Sequence, residues 1–448
     1  VGIGGAGMNP LAQLLIEQGE QISGCDRTLN PTTTVLAQRG ATIHTGHHAD
    51  HLDGVDRLLV TSALPPTHVE IKTAHERGIP VLTRHDLWRE WSRQRPTIGI
   101  TGTHGKTTTT AMIALILKQA GLQPGYVLGA DVPALGGNAA WGKNWLVIEA
   151  DEYARTFLAL TPQIAVITNL DWDHVDIYPT QAEYDHAFRQ YATQPNVAAL
   201  VMCGDDAGIQ RVLGDVHAIR CGLNEGNDWR ATDIQPERAG MRFNVVNHGS
   251  VWLGVSGEHN VRNAVLALAV ADHVGVDFAT AAQALSLYGG AARRFEYKGS
   301  AHGVDVFDDY AHHPTEIRAT LAAARQRFGN RRLVVYFQPH TYSRLHAFLD
   351  DFSQAFGDAD IVLIGAVYGA RETVAGADPA GQIVATMNHD HAIAAGDLDH
   401  AYAHVHSLLQ PDDVLMTLGA GDGVQVGERW LVEQRAKSKE QTEKNARV

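Results

Sequence analysis

Short apolar, often β-branched runs alternate with amphipathic stretches along the chain, the pattern of parallel α/β folding. The pattern appears in three segments. In the first, residues 1–95, a glycine loop precedes an expected helix at 11–17, and strands are expected at 21–24, 58–61 and 80–82. The polar run Ser92-Arg93-Gln94-Arg95-Pro96 reads as a linker. The second segment, 96–292, opens with a strand at 97–101, adds strands at 145–149, 164–168 and 197–202, and closes with a helix over 261–274. Gly289-Gly290 marks the next boundary, and the third segment, 293–448, has strands at 304–308, 333–337, 361–364 and 414–418. From Glu433 the tail is charged and loses its apolar periodicity, which predicts fraying.

Length agrees with three domains, because 448 residues exceed what one hydrophobic core holds. The net charge of −14 argues against nucleic acid as the main partner, while leaving room for phosphorylated small molecules held by local lysines and backbone amides. Three scattered cysteines, Cys25, Cys203 and Cys221, suit a reducing cytosol, so a cytoplasmic location is expected. The longest apolar stretch, 264–271, is too short for a membrane helix, so no membrane insertion is expected. The chain opens at Val1 inside a strand-to-glycine-loop junction, so further residues are expected upstream.

The chemistry starts at Gly102-Thr103-His104-Gly105-Lys106-Thr107, which follows a short apolar strand and precedes the helix-like run 108–119. Glycines let the backbone turn its N–H groups toward a phosphate, and the helix N-terminus adds a favourable dipole. Lys106 would reach the terminal phosphates and the Thr107 hydroxyl would ligate magnesium, although Ile100 stands where the strict phosphate-loop pattern has its first glycine. ATP is the expected ligand. Two neighbouring strands end in carboxylates, Glu149-Ala150-Asp151-Glu152 and Asn169-Leu170-Asp171-Trp172-Asp173-His174, at the sheet edge where α/β folds bind ligands. That arrangement suggests Mg2+ between protein oxygens and phosphates. Magnesium prefers oxygen, so His174 by itself reads as a hydrogen-bonded histidine.

Taken in order, Gly102–Thr107, Glu149–Glu152, Thr168-Asn169 with Asp173-His174, Gly257-Glu258-His259-Asn260 with Asn263, and Arg293-Arg294-Phe295-Glu296 resemble the motifs of the Mur ligase family. Gly2-Ile3-Gly4-Gly5-Ala6-Gly7-Met8, Asp308-Asp309-Tyr310-Ala311-His312-His313-Pro314-Thr315-Glu316, Phe337-Gln338-Pro339-His340 with Tyr342-Ser343-Arg344, and Leu418-Gly419-Ala420-Gly421-Asp422 resemble its alanine-adding branch. The resemblance implies a Rossmann-like UDP-binding domain, a central P-loop ATPase domain and a Rossmann-like C-terminal domain. It also implies ATP, Mg2+, UDP-N-acetylmuramate and L-alanine as the small molecules handled, by a monomer or homodimer.

Carried over by motif position, ATP would meet Gly102, Thr103, His104, Gly105, Lys106, Thr107, Thr108, Asn260, Arg294 and Asp309, and the metal would meet Thr107, Glu149 and His174. Gly4, Gly5, Ala6, Gly7, Met8, Asp26, Ser62 and Asn138 would hold the UDP-sugar, His340 and Arg344 the amino acid, and Lys106, His174, Arg294, His313 and Arg344 would serve catalysis. The chain departs from the family pattern at Thr341, where a second arginine is common, and at Tyr153-Ala154-Arg155. No lysine lies between Asp173 and Asn196 to be carbamylated as in several relatives, which suits the alanine-adding branch. The nearest rival is a recycling ligase that attaches a ready-made peptide to the same UDP-muramate. Folate-polyglutamate ligases share the ATPase core but not the N-terminal glycine loop. A nicotinamide oxidoreductase would explain Gly2, Gly4, Gly7 and Asp26 but not a phosphate loop in the same chain, and a non-catalytic UDP-sugar binder would not need Lys106, Thr107, Glu149 and His174.

Overall fold

In each third of the chain, apolar runs of a few residues become strands covered by helices. The computed structural model describes residues 1–5, 7–61, 64–237, 239–370, 372 and 379–446. In the first third, strand Ser23–Asp26 pairs in parallel with Thr42–Thr45, and Leu58–Leu59 with Val81–Leu82. Residues 1–3 lie between the two pairs: Gly2 and Ile3 N–H donate to Cys25 O, and the Val1 amino group donates to Leu59 O.

Among the described residues the central third forms one ten-stranded sheet. Strand Thr97–Thr101 is flanked in parallel by Leu146–Glu149 and Ile164–Ile167, so the two acidic strand ends stand on either side of the glycine loop. The strand is buried throughout and its β-branched residues suit that position. Helix Lys106–Gln119 is buried from Thr107 to Leu117 and packs with Glu258–His273 and Phe278–Ser286 over one sheet face. The other face is covered by Phe157, Phe188 and Tyr191, together with Leu11, Leu14, Trp88 and Trp91 from the first third. Each of these side chains contributes about 1.5–3 kcal/mol when fully buried, so the first two domains are held by a shared apolar layer.

That layer corrects the linker expected at 92–96. Helix Arg84–Gln94 runs through Ser92, which is 1% exposed and donates its hydroxyl to Trp88 O. Helix Val424–Ala446 covers the stretch where fraying was expected, with Lys437 and Glu433 paired one turn apart. The antiparallel strands Trp229–Glu237, Gly240–Val245 and Gly249–Leu253 at one sheet edge were not anticipated. In the last third, the order is Glu296–Ala301, Val304–Asp309, Val414–Leu418, Leu333–Phe337, Ile361–Gly365, Ala392–Gly396, parallel except for the first pair. No helix among the described residues is long and apolar enough to cross a membrane.

Candidate active site

The glycine loop closes against the neighbouring strand end. Gly102 has φ +137°, and a Cβ there would overlap Thr168 Oγ1. Gly105 (φ +79°) precedes the helix, and His104 N–H donates to Asn169 Oδ1 at 2.8 Å while Asn169 Nδ2 returns a bond to His104 O at 2.9 Å. Lys106 Nζ folds back over the loop, donating to Gly102 O (2.7 Å) and Thr103 O (3.0 Å) and lying 2.9 Å from Glu152 Oε2. Burial opposes charge on both side chains, but their pairing wins: the Lys106 ammonium is raised and the Glu152 carboxyl lowered.

Of the three residues expected to hold the metal, Thr107 and Glu149 are neighbours, and Glu149 Oε2 accepts from Gly129 N–H at 2.7 Å. Burial pushes the Glu149 carboxyl up, and Lys106 offsets this only in part. Two adjacent oxygen donors with an under-compensated carboxyl fit a hard cation such as magnesium. His174 is placed otherwise. Its Nε2 lies 3.1 Å from Glu152 Oε1, and its backbone has φ +53°. The structure therefore joins it to the Lys106–Glu152 pair rather than to Glu149.

The C-terminal domain lays the N-terminus of helix Pro314–Phe328 over this loop. His313 caps the helix and Glu316 completes a capping box, accepting from His313 N–H at 3.4 Å and also from His312 N–H at 3.0 Å. The same carboxylate faces His104 Nδ1 at 3.2 Å and Arg294 Nη1 at 3.8 Å. Thr315 Oγ1 donates to Asp171 Oδ2 at 2.6 Å, and that oxygen is 3.5 Å from His104 Nε2. Burial disfavours a charged His104, yet Glu316 and Asp171 outweigh it and raise the imidazole to about 9. His312, His313 and His340 take the opposite course: burial lowers them to about 3, 4 and 4, leaving neutral rings. His104, Asp171 and His313 bring ligand atoms within 4.8 Å of one another, a nitrogen-rich set less suited to magnesium.

A cavity of about 1040 Å³ opens between the domains, lined by His104, Gly105, Thr107, Thr108, Asn260, Arg294 and Asp309 among others. Asn260 Nδ2 donates to Ser256 O at 2.7 Å. Asp309 accepts from Phe295 and Ala311 N–H at 2.7 Å each, and burial raises its carboxyl to about 6. Arg344 and His340 lie together. Arg344 Nη1 donates to His340 O at 3.1 Å, and Nε and Nη2 form a fork on Asp173 at 2.9 and 3.2 Å.

In the first domain, Gly4 N–H donates to Asp26 Oδ2 at 2.9 Å, with Gly5, Gly7 and Met8 leading into helix Asn9–Glu17. Gln13 Nε2 on that helix donates to Asn138 Oδ1 at 3.1 Å, so Asn138 of the central domain faces the glycine loop's helix. Ala6 and Ser62 lie outside the described residues. Sequence reasoning took Glu152, Asp171 and Asp173 only as part of the acidic strand ends suggested to hold Mg2+, and gave Glu316 no role of its own. The His-Pro-Thr-Glu capping box could have singled out Glu316 as fixed at a helix start.

Three family models match in chain order: "Mur ligase family, catalytic domain" over residues 1–96, "Mur ligase middle domain" over 100–271 and "Mur ligase, glutamate ligase domain" over 293–421. The chain is similar to the UDP-N-acetylmuramate–L-alanine ligase of Roseiflexus castenholzii, at 48% identity over 96% of each chain. Among solved structures it is similar to a UDP-N-acetylmuramate–alanine ligase from Thermotoga maritima, with a TM-score of 0.83, 27% identity and coverage of 97% of this chain and 98% of that one. A murein peptide ligase from Psychrobacter arcticus matches with a TM-score of 0.72, 26% identity and coverage of 96% and 97%.

Proposed function

The chain belongs to the Mur ligase family of ATP-dependent ligases, and from that premise we propose that it joins L-alanine to the lactyl carboxylate of UDP-N-acetylmuramate in peptidoglycan precursor synthesis. The observation that carries the reading is the convergence of the glycine loop, Arg294 and the helix start at Thr315-Glu316 on one interdomain cavity. Residues 1–95 hold the UDP-sugar through Gly4, Gly5, Gly7, Met8 and Asp26, helped by Asn138. Residues 96–292 hold ATP, and 293–448 bring alanine and close over the nucleotide.

A carboxylate is a poor acyl donor because it lacks a leaving group. Its oxygen attacks the ATP γ-phosphorus, the bond to the β-phosphate oxygen breaks, and ADP departs from an acyl phosphate. The neutral amine of alanine then attacks the acyl carbon, phosphate leaves, and the amine proton passes to a neighbouring base. The protein's work is alignment and charge neutralisation. Lys106, charged His104 and Arg294 face the transferring phosphoryl group, and Asn260 faces the adenine. Mg2+, held through Thr107 and Glu149, would screen the phosphate charge. His174 fixes Glu152 and so aims Lys106. Neutral His313 stands beside the reacting centre, while Arg344 and His340 receive the alanine carboxylate. The reaction belongs in the cytoplasm, where ATP and UDP-sugars are made.

Phosphate release measured with UDP-N-acetylmuramate against a panel of amino acids and short peptides tests this reading. L-Alanine should be the preferred acceptor. A preference for a preformed tripeptide would reassign the chain to peptide recycling, and release without any UDP-sugar would overturn it.

A further inference from the structure

Remote from the nucleotide cavity, four chain segments of the first domain converge on the buried carboxylate of Glu70, which is 1% exposed. Strand Ser23–Asp26 supplies Cys25, whose thiol donates to Glu70 Oε1 at 3.0 Å. The loop after strand Thr42–Thr45 supplies His47, with Nδ1 3.2 Å from Glu70 Oε2 and 3.4 Å from Cys25 Sγ. The short helix Ala49–Leu52 supplies His51, with Nδ1 2.8 Å from Glu70 Oε1. His68, just before helix Val69–Arg77, lies 3.6 Å from Glu70 Oε2, and its buried Nδ1 makes no hydrogen bond.

We propose that Cys25, His47, His51 and Glu70 form a binding site for a divalent cation of the zinc class. A buried carboxylate alone needs two or three donors, whereas a thiol and three imidazoles crowd this one. In a tetrahedral shell with bonds of about 2.0 Å to nitrogen and about 2.3 Å to sulfur, neighbouring donor atoms stand roughly 3.2–3.6 Å apart. Cys25, His51 and a Glu70 oxygen lie within 4.8 Å of one another, and His47 reaches Cys25 at 3.4 Å and the other Glu70 oxygen at 3.2 Å, so closing the shell requires His47 to move toward the oxygen that His51 and Cys25 share. Sulfur and imidazole donors select zinc, cobalt or copper over magnesium, so this site would not compete for the cation of the ATP reaction. Cys25, His51 and Glu70 also line a separate cavity of about 790 Å³, which supplies an entry path. On binding, the Cys25 thiol releases its proton to solvent as the sulfur–metal bond forms, and Glu70 exchanges its hydrogen-bond partners for the ion. The ion would tie the strand, loop and helix start into one unit behind the glycine loop, since Cys25 precedes Asp26.

The test is titration of the untagged full-length protein with Co2+ and Zn2+ in the presence of excess Mg2+. One equivalent of Co2+ should bind with thiolate-to-cobalt charge-transfer absorption, be displaced by Zn2+, and raise the unfolding temperature. Cys25→Ser should lose that absorption, and His51→Ala should weaken binding at least about tenfold. No stoichiometric binding, or binding with the same spectrum and affinity in both variants, would overturn the site. Unchanged phosphate release in the presence of EDTA-treated protein and fresh Mg2+ would leave the ligase reading standing whichever way the metal result falls.

Discussion

Arg344→Ala separates two jobs that one side chain performs. Arg344 is 5% exposed and Asp173 3% exposed, and their fork at 2.9 and 3.2 Å joins the C-terminal domain to the central one. Removing one partner of a buried pair strands the other charge, which costs about 3–5 kcal/mol. Loss of the proposed alanine contact is a separate effect. A charge-assisted hydrogen bond contributes about 1.5–3 kcal/mol, so the KM for alanine should rise roughly 10- to 150-fold while that for ATP changes little. The double variant Arg344→Ala/Asp173→Asn distinguishes the effects, because it removes the stranded carboxylate but not the missing fork. Urea unfolding should show most of the stability restored, while initial rates of phosphate release should keep the raised KM for alanine. A double variant that recovers the alanine KM, or a single variant whose ATP KM rises in parallel, would refute the assignment and leave Arg344 as a domain strut.

Three further outcomes are expected. Lys106→Ala should lower phosphate release at least about 100-fold, and pairing it with Glu152→Gln should preserve folding by circular dichroism, since no bare carboxylate is then buried; near-normal turnover would remove the phosphate-loop role. Gly102→Ala, forced to keep φ +137° with its methyl against Thr168, should lose at least about 2 kcal/mol in urea unfolding together with ATP protection; wild-type behaviour would mean the loop relaxes freely. His104, raised from an unfolded value near 6.5 to about 9, contributes about 3 kcal/mol of stability that is fully present below pH 6.5 and lost as pH rises through 9; urea unfolding from pH 6 to 9.5 should show that decline, and His104→Gln should flatten it.

The strand, glycine loop and helix at 97–119 were legible because local signals agree there: an apolar β-branched run, glycines at the turn, and helix-forming residues after it. The polar run at 92–96 misled because only one helix face carries apolar residues. Trp88 and Trp91 lie three apart on that face, Arg89, Glu90, Arg93 and Gln94 face outward, and Ser92 is buried with its hydroxyl bonded to Trp88 O. The hairpin strands at 229–253 escaped because their pattern alternates buried with exposed positions over a sheet edge, with no continuous apolar run. The pairs that assemble the site were illegible for a different reason. Arg344 meets Asp173 across 171 positions and Thr315 meets Asp171 across 144, and no local periodicity encodes such a meeting.

Such pairs explain why so many charges are tolerated together in a partly desolvated site. Lys106 stands on Glu152, His104 on Glu316 and Asp171, Arg294 near Glu316, and Arg344 on Asp173. An isolated buried cation would carry a desolvation cost of several kcal/mol, which a paired one largely avoids. Desolvation of these groups is therefore met when the domains fold and dock, before any substrate arrives. On the proposed reading, a triphosphate entering the cavity would meet His104 and Arg294 already aimed by their carboxylates. Such preorganised charge is worth more than the same charge in water, because nothing has to reorient as the phosphoryl group transfers. On the proposed reading the carboxylates act as positioning residues that fix where each cation points, and Glu316 does so from a different domain than the histidine it holds.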